Sequence, residues 1–302
     1  MKEQKLVSIG IPAYKGMFLR EAIQSVLNQT YSNIELIIVD DNSPDNLKNI
    51  VCSFHDARIH YYRNEQNVGK ENPACNWNKC LSHANGEFFA LLCDDDLYES
   101  AFVETMLSLA KKYPQTQVFR SRANFIDAEG QEVNKYASAP EWEAWDDYLW
   151  HVCRNFRSQT ISEWFYRTEN LRKCNGYAML PLAWYADYLS IFRFSKSNGI
   201  ASTASILVHF RLSGQNISSQ DNRNNLKKIE AQLQYRENVM ELLTDHPQKE
   251  QLLDSLDWLL QQHLKYNLEH TPKRILLGLF WENKKYGITK GSIWKAFFHK
   301  RK

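Results

Sequence analysis

Ile34-Glu-Leu-Ile-Ile-Val39, closed by Asp40-Asp41-Asn42-Ser-Pro-Asp45, is the stretch from which the fold can be read. A continuous β-branched and apolar run of this length is the mark of a strand buried on both faces, as in a parallel sheet covered by helices. The Asn-Ser-Pro-Asp turn that follows opens into a helix over about Asn46 to Phe54. On the N-terminal side, Leu6 to Ile11 is a second short apolar run, and Leu19, Ala22, Ile23, Val26 and Leu27 then recur at helical spacing. On the C-terminal side come a strand at Ile59 to Tyr62, a helix at Pro73 to Ala84 with Pro73 in its first turn, a strand at Phe88 to Leu92, and a helix from about Ser100 to Lys112. Such alternation gives an α/β fold with a mostly parallel central sheet, right-handed crossovers and flanking helices.

Beyond residue 120 the pattern changes. Residues 121–220 are less regular and rich in aromatics (Trp142, Trp145, Trp150, Trp164, Trp184), which reads as an acceptor-facing half laid against the sheet of residues 1–120. Residues 221–302 read as a helical C-terminal extension: Leu252, Leu253, Leu256, Leu259, Leu260 and Leu264 form one apolar face, and Pro247 marks the break before them.

Composition narrows the class. At 302 residues, 43% hydrophobic and 24% charged, the chain can bury a large core and is not of disordered type. Its net charge of +2 is unevenly placed: residues 270–302 hold nine Lys or Arg against Glu282 alone, leaving 28 bases and 34 acids elsewhere. A basic end on an acidic body points to an anionic surface met at that end, with no nucleic-acid partner expected. Six scattered cysteines without CxxC spacing read as thiols of a reducing compartment. No signal-peptide pattern is evident at the start, and no run approaches the ~20 apolar residues needed to span a bilayer. The expectation is a cytoplasmic protein, resting on a membrane if attached to one.

Ligands of an open parallel sheet bind where loops converge at the carboxyl ends of its strands. Pro12-Ala-Tyr14, Asp40-Asp41 and Asp94-Asp95-Asp96 all fall at such ends. Three adjacent carboxylates repel one another unless a cation or a proton offsets them, and Mg²⁺ or Mn²⁺ suits one or two carboxylates plus phosphate oxygens and water. The bland readings are a solvated acidic turn or a helix cap for Asp95 or Asp96, and a turn former at Asp40-Asp41. Neither GxGxxG nor GxxxxGK[ST] is present, which disfavours oxidoreductase-type dinucleotide folds and P-loop nucleotidases.

Val7-Ser-Ile-Gly-Ile-Pro-Ala-Tyr14, Ala22-Ile-Gln-Ser-Val-Leu-Asn-Gln-Thr30, Glu35-Leu-Ile-Ile-Val-Asp-Asp-Asn-Ser43, Asn67-Val-Gly69, Asn76, Gly86-Glu87 and Asp94-Asp95-Asp96 follow one another in an order that resembles the family 2 glycosyltransferases of GT-A fold, over roughly residues 5–218. The resemblance implies a sugar transfer from a nucleotide diphosphate donor, with UDP-sugars favoured, to a hydroxyl of a glycan or lipid-linked glycan in cell-surface polysaccharide synthesis. It implies that Pro12, Ala13 and Tyr14 line the base and ribose pocket, that Asp41 accepts from the base edge, and that Asp94 lies near the ribose or a metal-bound water. Asp95 and Asp96 would be the metal residues, with Mn²⁺ or Mg²⁺ as cofactor. Two departures stand out: Cys93 replaces the usual first aspartate of the longer motif, and Cys75 replaces an arginine before Asn76, so that Lys70 or Arg63 would have to supply positive charge to the diphosphate.

The resemblance also makes Asp187, within Trp184-Tyr-Ala-Asp-Tyr-Leu-Ser-Ile-Phe192, the base that an inverting single displacement requires, and makes His209 and Arg211 diphosphate contacts. A nucleotidyltransferase is disfavoured because Pro12-Ala-Tyr-Lys-Gly16 is not its Gly-rich basic loop. A catalytically silent sugar-nucleotide or glycan binder stays open because of Cys93 and Cys75. Finally, Ile275, Leu276, Leu279, Phe280, Ile293, Trp294, Phe297 and Phe298 recur at helical spacing among lysines, as in helices that lie at an anionic lipid interface or pack on the protein's own core.

Overall fold

A computed structural model of the chain describes residues 4–214 and 224–298. Its first half follows the alternation read above: β1 (Val7–Ala13), α1 (Leu19–Leu27), β2 (Ile34–Asp40), α2 (Leu47–Cys52), β3 (Ile59–Arg63), α3 (Ala74–His83), β4 (Phe88–Leu91), β5 (Leu97–Tyr98) and α4 (Phe102–Lys112). Pro73 caps α3 with φ −52°, the value its ring imposes. All seven residues of β2 are buried, and the carboxylate of Glu35 is satisfied inside by the Ser8 hydroxyl and the Asn85 amide, each at 2.6 Å.

The second half adds β6 (Val118–Ile126), β7 (Glu132–Lys135), β8 (Trp142–Glu143), α5 (Trp145–Cys153), β9 (Trp164–Arg167), α6 (Thr168–Lys173), α7 (Ala186–Ser195) and β10 (Ile200–Arg211). Four helices follow: α8 (Asn225–Leu242), α9 (Lys249–Glu269), α10 (Lys273–Glu282) and α11 (Lys290–Phe298). The sheet runs β3-β2-β1-β4-β9-β6-β10-β5, with β7 on β6 and β8 on β10. Strands β3, β2, β1 and β4 are parallel, β9 is antiparallel to both β4 and β6, and β6 and β10 are parallel again. The order places the ends of β1, β2 and β4 side by side, which is what creates one crevice from three distant loops.

One apolar core lies between the sheet and α1, α2 and α4; the other lies between the sheet and α3, α5, α7, α8 and α9. This corrects the reading of the aromatic-rich stretch. Trp145 and Trp164 are buried, with Tyr148, Tyr166 and Tyr177 beside them, so most of that richness is core rather than acceptor surface. Wide rings fill the gap between a twisted sheet and its helices, and composition alone does not separate that use from ligand stacking. The helices α8 and α9 are likewise part of the core, through Ala231, Tyr235, Val239, Leu252, Leu256 and Leu260.

Candidate active site

The loop after β1 and the turn after β4 are tied together. The amides of Tyr14 and Lys15 both donate to Asp94 Oδ2 at 2.7 Å, and Leu92 N donates to Gly10 O at 2.9 Å. Burial pushes the Asp94 carboxyl up to about 6 against the pull of those amides, and the neighbouring Asp95 charge adds to the rise. Asp95 Oδ2 accepts from the Ser213 hydroxyl at 3.1 Å and lies 3.7 Å from the Lys15 ammonium.

Asp96 is placed differently. It is fully buried, with Oδ2 accepting from the Ser162 hydroxyl at 2.6 Å and Oδ1 from the Arg211 amide at 3.0 Å. Burial, with the Asp95 charge next, raises its pKa. The structure therefore does not bring Asp96 to the crevice as a metal ligand; it holds the turn from inside. Cys93 is half-buried, and burial with the adjacent Asp96 and Asp95 charges keeps its thiol protonated, so it adds no charge in place of a carboxylate.

At the end of β2 the two aspartates divide their work. Asp40 accepts from Tyr61 (2.5 Å), Arg63 (2.7 Å) and the Ser43 amide (2.8 Å), and Arg63 also reaches Asn42 and the Ser43 carbonyl at 3.0 Å. Arg63 is thus committed to the β2 turn and does not stand in for the missing arginine. Asp41 accepts from the amides of Val68 (2.9 Å) and Gly69 (2.7 Å) and from Asn64 Nδ2 (2.7 Å). It fixes the loop at 64–70, and Asn64 links onward to Asn76 at 3.1 Å. A Cβ on Gly69 would sit 2.6 Å from Asp41 Oδ2, so only glycine permits this approach. Lys70 is exposed on the same loop, its amide donating to Asn67 Oδ1 at 2.7 Å. Of the first trio, Ala13 is buried, Pro12 half-buried, and Tyr14 presents its ring to solvent beside the crevice.

His209 and Arg211 are corrected. His209 lies between Asn124 Oδ1 (2.6 Å) and Glu99 Oε1 (2.7 Å). Arg211, 1% exposed, donates to the carbonyls of Asp95 (3.0 Å), Ala128 (2.9 Å) and Asp127 (3.3 Å) and to Glu21 (2.6 Å), over the ring of Phe18. Both side chains are braces between strands and loops rather than arms reaching a diphosphate. A basic residue near a strand end gives no sequence signal that tells the two uses apart. The rest of that segment, Gln215 to Ser218, lies outside the described residues.

Asp187 stands in the first turn of α7, half-buried, and burial raises its carboxyl above the ordinary aspartate value. The approach to it is strained: Leu182 (φ 60°), Ala183 (φ 51°) and Tyr185 (φ 65°) are all left-handed, at about 1–3 kcal/mol each. That conformation is held from outside. Leu182 N donates to the Glu71 carbonyl at 3.2 Å, the Tyr185 ring stacks on Tyr235 of α8 at 4.7 Å, and its hydroxyl meets His263 of α9 at 2.7 Å. The Asp187 charge is felt at Glu163, the neighbour of the Ser162 that holds Asp96.

Lys15, Asn64, Ser162 and Ser213 were not singled out from the sequence. Asn64 could have been, since it follows β3 at the same sheet end; Ser162 and Ser213 carry no such mark.

A divalent cation fits this donor set. Asp94 and Asp95 bring two carboxylates to one turn, and Asp95 already draws the Lys15 ammonium to 3.7 Å. Among the described residues no cluster of three His, Cys, Asp or Glu ligands is assembled, so such an ion would rest on one or two carboxylates, the arrangement Mg²⁺ accepts when phosphate and water complete its shell.

A family profile described as "Glycosyl transferase family 2" matches residues 8–178. The chain belongs to glycosyl transferase family 2. An uncharacterized glycosyltransferase of Rickettsia typhi is 39% identical over 116 residues, 37% of this chain and 34% of that protein. The UDP-Glc:alpha-D-GlcNAc-diphosphoundecaprenol beta-1,3-glucosyltransferase WfgD of Escherichia coli is 38% identical over 108 residues, 35% of this chain and 42% of that one. The match thus spans about a third of the first relative and about two fifths of the second. The crystal structure of S. aureus TarS 1–349 in complex with UDP-GlcNAc superposes with a TM-score of 0.71 at 15% identity, over 97% of this chain and 89% of that one. The likeness confirms the GT-A fold of this family 2 member, including the helical region that follows the sheet.

Proposed function

We propose that this family 2 protein transfers a sugar from a UDP-sugar to a hydroxyl of a lipid-linked glycan, with inversion, in the synthesis of a cell-surface polysaccharide. The observation that carries the reading is the coupling of three strand ends: Asp94 holding the Tyr14–Lys15 loop, Asp41 holding the Val68–Gly69 loop, and Asp95 meeting Lys15 and Ser213. The donor and acceptor classes are supported by the E. coli relative and by the TarS structure, whose names specify a UDP-sugar in each case and, for the former, a diphosphoundecaprenol-linked acceptor.

In this mechanism Tyr14, with Pro12, forms one wall of the nucleoside pocket, and Ala13 is buried behind them. Asp41 retains acceptor capacity on Oδ2 for a base-edge N–H while it keeps the opposite loop in place. Lys70 and Lys15 are the cations facing the diphosphate side. Asp95, assisted by Asp94, would hold a Mn²⁺ or Mg²⁺, which when bound offsets charge on the departing diphosphate. Asp187 takes the proton from the acceptor hydroxyl as its oxygen bonds to the anomeric carbon and the bond to the diphosphate breaks, the electron pair leaving with UDP. A raised pKa makes Asp187 a stronger base than an exposed aspartate, which suits the task.

The second reading, a silent binder, is favoured by one observation: Cys93, His209, Arg211 and Arg63 supply neither the carboxylate nor the phosphate contacts expected of them. Calorimetric titration of UDP with and without Mn²⁺, beside Asp95→Ala, tests the site. Binding that needs Mn²⁺ and is lost in the variant, followed by Mn²⁺-dependent turnover of a UDP-sugar, is the expected result. Binding without any turnover of donor leaves the silent binder, and no nucleotide binding at all refutes the transferase and leaves only a silent glycan binder.

A further inference from the structure

The tail was expected to carry one apolar face. The structure shows two. On α10 and α11 the side chains of Leu276, Leu279, Ile293 and Ala296 are buried against Ile229 of α8 and Leu268 of α9, with Ile275, Phe280 and Phe297 partly covered beside them. A second set points away from the protein: Leu277 (52% exposed), Trp281 (81%), Trp294 (53%) and Phe298 (62%). In each helix the outward pair is spaced i, i+4, so each pair forms one stripe. The two stripes meet at Phe280, which lies 6.1 Å from Trp294 at the margin of the covered set, and the Lys290 ammonium sits over both Phe280 (4.8 Å) and Trp281 (5.8 Å); within α11, Trp294 lies 5.0 Å from Phe298.

We propose that this outward face, with Leu277, Trp281, Trp294 and Phe298 at its centre, is the surface by which the protein docks on an anionic lipid bilayer. The inference deepens the reading of a lipid-linked acceptor and rests on it for its purpose, although the docking itself needs neither donor nor acceptor. Charge decides the occupant. Lys273, Arg274, Lys284, Lys285, Lys290 and Lys295 belong to these two helices and the turn between them, and Glu282 is the one acid in that span of sequence. Two copies meeting face to face would bring two sets of cations together, whereas anionic headgroups satisfy them. Large rings at the interface with lysines at its margin suit the boundary between headgroups and acyl chains. No helix among the described residues is long and apolar enough to cross a membrane, so attachment through these helices would be to one leaflet.

The test is co-sedimentation of the full chain with vesicles of phosphatidylcholine alone or mixed with phosphatidylglycerol, read together with tryptophan emission. Binding to the mixed vesicles should be at least about tenfold tighter than to neutral ones and should weaken with salt. Trp281→Ala combined with Trp294→Ala should lower partitioning about tenfold or more while melting temperature and UDP titration stay unchanged, because both side chains are mostly exposed. Lys284→Glu with Lys290→Glu should remove the preference for anionic vesicles. Equal binding by parent and tryptophan variant would overturn the proposal, as would a solution dimer that the same tryptophan variant dissociates. UDP titration on the same preparations keeps the two readings apart: UDP binding without vesicle binding sinks the docking surface alone, and the converse sinks the donor site alone.

Discussion

Replacing Arg211 with alanine separates a brace from a phosphate contact. The guanidinium donates to three backbone carbonyls (Asp95, Asp127 and Ala128) and to Glu21, and it covers the Phe18 ring at 4.2 Å. Hydrogen bonds from a charged donor contribute about 1.5–3 kcal/mol each, and they are not additive within one network. The Glu21 ion pair is discounted because that carboxylate is 54% exposed. Loss of the whole buried network should cost about 3–5 kcal/mol. With an unfolding entropy of about 0.6 kcal/mol/K for a chain of this length, the melting temperature should fall by about 5–8 °C. Arg211→Lys should recover only part of this, since an ammonium cannot reproduce the planar fork. The assays are thermal unfolding and UDP calorimetry on the same preparations, at a temperature where both proteins are folded. A melting temperature within about 1 °C of the parent, with UDP affinity down tenfold, would refute the brace and restore the diphosphate role.

Asp187→Asn should lower kcat by about 10²–10⁴ with UDP affinity unchanged. The acid limb of kcat/KM should lie above the ordinary aspartate value, because the base must be ionised and burial raises its pKa; a limb at or below that value would contradict the assignment. A raised folded-state pKa means that the fold favours the neutral carboxyl, so the same variant should melt no lower than the parent at pH 7. Gly69→Ala, whose Cβ would meet Asp41 Oδ2 at 2.6 Å, should weaken UDP binding about tenfold by dislodging the loop; unchanged affinity would show that the Asp41–Gly69 contact is irrelevant to the donor. Gly10→Ala puts a methyl 2.7 Å from Cys80 Cβ and should cost about 1–3 kcal/mol by chemical denaturation with no change in KM.

What could be read from sequence, and what could not, follows from range. Ile34–Val39 and Phe88–Leu92 announced themselves as buried strands because burial on both faces leaves no polar alternation, and the residues just past them fell at one sheet end. Local period was enough. The roles of Asp96, His209 and Arg211 depend on partners such as Ser162, Glu99 and Ala128, which lie 66 to 110 positions away along the chain. No local pattern encodes such a partner, so buried braces and reaching arms look alike in sequence. The aromatic stretch failed for a related reason: ring content measures contact area, not whether the contact is with core or ligand. The strain before Asp187 was also invisible, since Leu182, Ala183 and Tyr185 are not residues that advertise a left-handed backbone.

The place of β9 bears on how the chain is made. Strand β4 is complete by Leu91, yet the neighbour that closes its free side is β9, which begins at Trp164. During synthesis the first four strands can pair as soon as they emerge, but they then present an apolar, unprotected edge until some seventy further residues have left the ribosome, a count set by the spacing of β4 and β9. An edge of that kind is a template for pairing with another nascent chain. Fragments ending between β4 and β9 should therefore be sticky and short-lived, whereas a chain that extends past Arg167 can seal the sheet with its own strand.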